Sequence, residues 1–134
     1  MGEDEINSRV MKLLELVHLD KDVAIRFPSE LSFGMQKRVS LARAIALSPS
    51  YLIYDEPTTG LDPFTARQIN HLILELREKI GVTSIVVSHD LESMREVADR
   101  VGFLENGCFI FIGSLRELEK SENVLVRGFL GAGG

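Results

Sequence analysis

The chain has 134 residues, 45% apolar and 26% charged, with a formal net charge of −5, which suits one globular domain of ordinary core size, or part of one. The acidic balance argues against nucleic-acid backbone as the main partner, because phosphate affinity needs clustered Lys and Arg; here the basic residues alternate with acids as on a solvated surface. No apolar stretch approaches the roughly 18 residues of a membrane span, and the acidic opening Met1-Gly2-Glu3-Asp4-Glu5 is unlike a signal peptide, so membrane contact is expected only through a partner.

Val10, Leu13, Leu14 and Val17 recur at helical spacing and predict an amphipathic helix from Ile6 to about Leu19, followed by a loop around Pro28. Ser32 is suited to cap a second helix running to about Leu47, before Pro49. Tyr51 to Tyr54 is apolar throughout and reads as a strand covered on both faces. Asp62 and Pro63 suit the start of a third helix, whose face is marked by Ile69, Leu72, Ile73, Leu76 and Ile80 before Gly81 ends it. A second buried strand over Thr83 to Val87, a helix from Asp90 through Ala98 and a third strand over Val101 to Leu104 follow. Strands alternating with helices predict an α/β fold with a parallel sheet. Asn106-Gly107, between Val101–Leu104 and Phe109–Ile112, predicts a tight hairpin closing the sheet edge. Cys108, the only cysteine, excludes an internal disulfide and is expected to be a small buried side chain. Leu115 to Leu130 reads as one or two short helices, and Gly131 to Gly134 as a frayed tail.

Two stretches carry chemistry. Tyr51-Leu52-Ile53-Tyr54-Asp55-Glu56 is an apolar strand ending in adjacent carboxylates, able to hold a magnesium ion and orient a water. Leu31-Ser32-Phe33-Gly34-Met35 places a hydroxyl and a glycine at a helix start, where backbone amides and the helix dipole favour an anion. No Gly-Lys pair occurs anywhere, so the lysine-bearing loop that cradles nucleotide phosphates is missing.

Together these stretches resemble the nucleotide-binding subunits of ATP-binding cassette (ABC) proteins, a resemblance extending over nearly the whole chain. Leu31 to Met35 looks like the signature motif and Gln36 through Arg43-Ala44 like the helix after it; Phe33 and Met35 stand where glycine and glutamine are commonest. Met35 is reminiscent of ATPases serving MCE-type lipid transporters. The resemblance implies that Ser32, Gly34 and Gln36 face ATP held by the opposite subunit, that Asp55 binds Mg²⁺, and that Glu56 is the catalytic water-polarising carboxylate. Thr59-Gly60-Leu61-Asp62 looks like the D-loop, and His89 like the catalytic switch histidine, while His18 and His71 read as ordinary surface or boundary residues.

In that family the phosphate loop, the adenine-stacking aromatic and the permease-touching Q-loop precede the signature motif, and none is recognisable here. The chain therefore resembles the C-terminal part of a cassette over 1–134, with about 5–48 as a portion of the helical signature subdomain and about 49–134 as the remainder. The resemblance implies ATP and Mg²⁺ as ligands, a second nucleotide-binding subunit and transmembrane permease subunits as partners, no nucleic acid, and a cytoplasmic, peripheral place on the inner face of the cell membrane. Alone, the chain is expected to bind ATP weakly or not at all, with Tyr51–Tyr54 and Thr83–Val87 partly uncovered. The alternatives are a non-transport ABC protein of translation or DNA repair, and a non-catalytic module completing a partner's ATP site.

Overall fold

A computed structural model describes residues 2–132 and divides them into two compact units, 2–87 and 88–132. In the first unit, helix α1 (Glu3–Leu16) begins on Glu3, Asp4 and Glu5, which complement the positive helix start. It ends before the expected Leu19 because His18 turns the chain with φ 55°. Two 3₁₀ turns, Lys21–Ile25 and Pro28–Glu30, occupy the expected loop. Helix α2 (Phe33–Ile45) starts on the Ser32 cap and stops short of Leu47 as Ser48 takes φ 51°.

Strand β1 (Tyr51–Asp55) pairs in parallel with β2 (Thr83–Val87), Tyr51 opposite Thr83 and Asp55 opposite Val87. Between them runs α3 (Pro63–Ile80), opened by Asp62 and Pro63 and closed by Gly81 in the left-handed conformation, its amide bonded to the Arg77 carbonyl. The core gathers Val17, Leu41, Ile45, Leu52 and Tyr54 around Ile69, Leu72 and Leu76, which are almost fully buried. Each such side chain contributes about 1.5–3 kcal/mol by leaving water.

The strands are not covered on both faces. Leu52 and Tyr54 point into the core, whereas Tyr51 and Ile53 are 73% and 67% exposed, and Ile85 and Val87 are also exposed. Their period-two alternation means that one sheet face has packing partners and the other lacks them among the described residues.

In the second unit, α4 (Leu91–Val97) is followed by β3 (Val101–Glu105) and β4 (Cys108–Gly113). Asn106 and Gly107 take φ 48° and 78°, as a two-residue hairpin turn requires. β3 and β4 form their own two-stranded antiparallel sheet rather than an edge of the β1–β2 sheet. Cys108 is exposed, contrary to expectation, because it sits beside the turn opposite Glu105. Helices α5 (Leu115–Glu119) and α6 (Val124–Ala132) complete the unit, with Val101, Leu118 and Val126 at its core. Gly131 and Ala132 belong to α6, and the rest of the expected frayed tail, Gly133 and Gly134, lies outside the described residues.

Candidate nucleotide and metal site

The first unit brings most of the candidate residues together around the carboxyl end of β1. Asp55 is its last residue, with an exposed side chain lining a groove of about 220 Å³ together with Lys37, Ser40, Leu41, Ile53 and Pro57. The backbone then turns sharply: Glu56 takes φ 47°, uncommon for a residue with a Cβ. Several bonds hold this turn. The Glu56 amide donates to the Val87 carbonyl at 2.9 Å, its carbonyl accepts from Lys37 Nζ at 3.2 Å, and its Oε2 accepts from the Thr59 hydroxyl at 2.9 Å.

At the start of α2, the Ser32 hydroxyl accepts from the Met35 amide at 3.3 Å, and Gln36 N closes the first helical bond to the Ser32 carbonyl at 2.9 Å. Among the described residues the Phe33 and Gly34 amides have no acceptor, and no acidic side chain occupies the first turn. These open amides at the positive helix end suit an anionic ligand. Gly34 has a packing reason as well: a Cβ there would lie 2.9 Å from Thr65 Cγ2 in the first turn of α3. Gln36 stands in the opening turn of α2. Its side-chain amide donates to the Pro28 and Leu31 carbonyls at 3.0 and 3.1 Å, which commits both donors to the preceding loop.

Asp62 accepts from the Phe64 and Thr65 amides, both at 3.0 Å, and from the Thr65 hydroxyl. The Thr65 side-chain bond first, then the backbone bonds, hold its pKa below the ordinary 3.8. His89 lies in the second unit, exposed, immediately before Asp90, whose carboxylate caps α4 through the Glu92 amide at 3.0 Å. Of the histidines read as ordinary, His71 is exposed and His18 pairs with Glu75 at 2.8 Å.

Lys37 is absent from the candidate residues of the sequence, and Thr59 enters there only as the first residue of the D-loop resemblance, not as a partner of Glu56. A signal for each existed: Lys37 is four residues after Phe33 and so shares its helix face, and Thr59 follows Glu56 at turn spacing.

For Mg²⁺ the donor set is sparse but compatible. Among the described residues no group of three or more His, Cys, Asp or Glu could cage a metal. Asp55 with Glu56 suits an ion that takes one or two carboxylates and completes its shell with phosphate and water.

A parallel pair of strands, of which β1 runs into adjacent carboxylates, stands in one unit with a helix start whose amides are open, in an α/β arrangement. The family model described as ABC transporter matches residues 3–59. The methionine import ATP-binding protein MetN of Carboxydothermus hydrogenoformans is 45% identical over 115 residues, covering 86% of this chain and 34% of that protein. Its counterpart in Campylobacter jejuni is 39% identical over 131 residues, covering 98% and 39%. Among solved structures, the dimeric post-hydrolysis state of the ATP-binding cassette MJ0796 bound to ADP and Pi has a TM-score of 0.74 at 34% identity, over 87% of this chain and 50% of that one. A nucleotide-free ATP-binding cassette from an ABC transporter has a TM-score of 0.85 at 27% identity, over 96% and 51%. The chain is similar to ABC transporter nucleotide-binding domains. It spans a third to two fifths of the MetN relatives and about half of the solved cassettes.

Proposed function

We propose that this chain is part of the ATPase subunit of an ABC transporter, in which ATP binding and hydrolysis across two nucleotide-binding subunits drive a transmembrane permease. The observation that carries this reading is the pairing, within one unit, of the Asp55–Glu56 carboxylates with the open amides after Ser32. Asp55 would hold Mg²⁺, which when bound supplies positive charge against the nucleotide phosphates. Glu56 would accept a hydrogen bond from the attacking water and orient it. Ser32 and the Phe33 and Gly34 amides would receive the γ-phosphate carried by the second subunit, while Asp62 shapes the turn beside them. His89 would be the switch histidine that the resemblance implies. The protein would sit on the cytoplasmic side of the membrane, held there by the permease.

The transported substrate is a property of the permease. The lipid-transport subfamily suggested by Met35 finds no support in the relatives, which are named for methionine import. A second reading, a non-catalytic module that offers Ser32 and Gly34 to a partner's ATP, draws on the open amides at the start of α2.

MgATP calorimetry on the 134-residue chain, alone and with an intact nucleotide-binding subunit, tests the proposal. Negligible binding alone and ATP-dependent association with the intact subunit are expected; tight binding alone would mean a different phosphate site. Where this sequence follows a complete phosphate loop in one polypeptide, Glu56→Gln should lower kcat by about 10²–10⁴-fold with ATP binding kept. Loss of binding would remove the water-orienting role, and unchanged kcat would leave only the second reading.

A further inference from the structure

We infer that Lys37 is a positioning residue that ties the anion-facing start of α2 to Glu56 of the same chain; the inference rests on the proposed water-orienting role of Glu56. Lys37 Nζ donates to the Glu56 carbonyl at 3.2 Å across nineteen residues of sequence, in a part-buried setting where a charge-assisted bond is stronger than in water. The same ammonium lies 5.4 Å from the centroid of the Phe33 ring, within cation–π range. Phe33 in turn presses on the turn that follows Glu56: a Cβ on Gly60, itself at φ 80°, would stand 3.0 Å from Phe33 Cε1. Phe33 is also the residue whose amide opens α2.

The left-handed backbone of Glu56 is unfavourable for a residue with a Cβ and persists only where surrounding bonds over-determine it. Its amide is fixed by Val87 and its carboxylate by the Thr59 hydroxyl; its carbonyl accepts from the Thr59 amide at 3.4 Å within the turn and from Lys37 at 3.2 Å, so Lys37 supplies the restraint that comes from α2. A ligand that moves the first turn of α2 must then move Phe33, Lys37 and the Glu56 carbonyl together. An anion in front of Ser32 is thereby sensed, within one chain, at the carboxylate that belongs to the other half-site.

Amide hydrogen exchange on the full 134-residue chain, without nucleotide, tests the link separately from the ATPase reading. In Lys37→Met, exchange of the Glu56 amide should accelerate by roughly tenfold, the effect of losing one charge-assisted bond, while the α3 core amides of Leu72 and Leu76 stay as protected as before. Lys37→Arg, which keeps a donor and a cation, should restore protection. An unchanged Glu56 amide in Lys37→Met would overturn the inference. So would equal acceleration at Leu76, which marks general destabilisation, or failure of Lys37→Arg to rescue. Failure of the calorimetric test with Glu56 exchange behaving as expected would instead reject the transporter-ATPase reading and keep the link.

Discussion

At the start of α3 the Asp62 carboxylate accepts from two backbone amides at 3.0 Å and from the Thr65 hydroxyl, whereas at the start of α2 the Ser32 hydroxyl reaches only the Met35 amide, at 3.3 Å. Both residues are favoured helix caps, and local propensity treats them almost alike. Their consequences differ. Asp62 places a negative charge of its own on the positive helix end and consumes its donors, so α3 has little to offer an external anion. Ser32 is neutral and leaves the Phe33 and Gly34 amides open, so α2 keeps both its donors and its dipole for a ligand. The two starts also touch, since Gly34 packs on Thr65. One helix start spends its donors on the fold, and the other leaves donors open, to which the proposed function assigns a phosphate.

The largest effect is expected from making α2 resemble α3. Ser32→Asp should retain or strengthen the cap, because aspartate bonds the same amides, yet it sets a fixed negative charge where phosphate must enter. Like charges brought together cost several kcal/mol. ATP-dependent association with an intact nucleotide-binding subunit should therefore weaken on the order of a hundredfold or more, with an unchanged or higher melting temperature. Unaltered association in Ser32→Asp would mean that the open amides of α2 do not receive the phosphate, and the contrast between the two helix starts would lose its functional meaning.

How much of this contrast was legible in the sequence depends on the range of the interactions. Ser32, Asp62-Pro63, Gly81 and Asn106-Gly107 each act through bonds to residues a few positions away, and each marks an observed boundary or turn. Exposure is not local in this way. Tyr51, Ile53, Ile85 and Val87 sit in runs that read as fully buried strands, but their burial depends on elements that pack across the sheet, and one face has none among the described residues. Cys108 failed for a related reason, because the tight turn brings the first residue of β4 out with it. The adjacent carboxylates Asp55 and Glu56 were readable as a pair, and Thr59 stands at turn spacing from Glu56, but nothing in the run Tyr51–Glu56 says that Lys37 holds the Glu56 carbonyl. A bond over nineteen residues has no signature in spacing.

A smaller effect should follow from pressing the two helix starts apart. Gly34→Ala adds a Cβ 2.9 Å from Thr65 Cγ2, a distance that forces one side to move. Such overpacking costs about 1–3 kcal/mol, offset in part because alanine is the better helix former. The melting temperature should fall, and Thr65→Ser, which removes the methyl while keeping the hydroxyl that bonds Asp62, should recover most of the loss in the double variant. Recovery makes the cost a steric one between the helix starts. A double variant as unstable as Gly34→Ala alone would show that Gly34 is needed for its backbone rather than for its closeness to α3.

The smallest effect is a pH dependence that only one of the two starts can have. Asp62 titrates and Ser32 does not. Bonds from the Thr65 side chain and then the backbone hold the folded-state pKa of Asp62 below 3.8, so its contribution to stability is complete above that ordinary value. It is lost as pH falls through the lower folded value, where the carboxylate takes up a proton and surrenders acceptor capacity. The amide signals of Phe64 and Thr65 should therefore move in that acidic window while that of Met35, bonded to the Ser32 hydroxyl, holds still. Asp62→Asn keeps a capping oxygen without the titration, and should flatten the response at Phe64 and Thr65. If Met35 moved together with Thr65, the titration would belong to the loosening of the whole unit; if neither moved, the Asp62 cap would carry no charge-dependent share of the helix start.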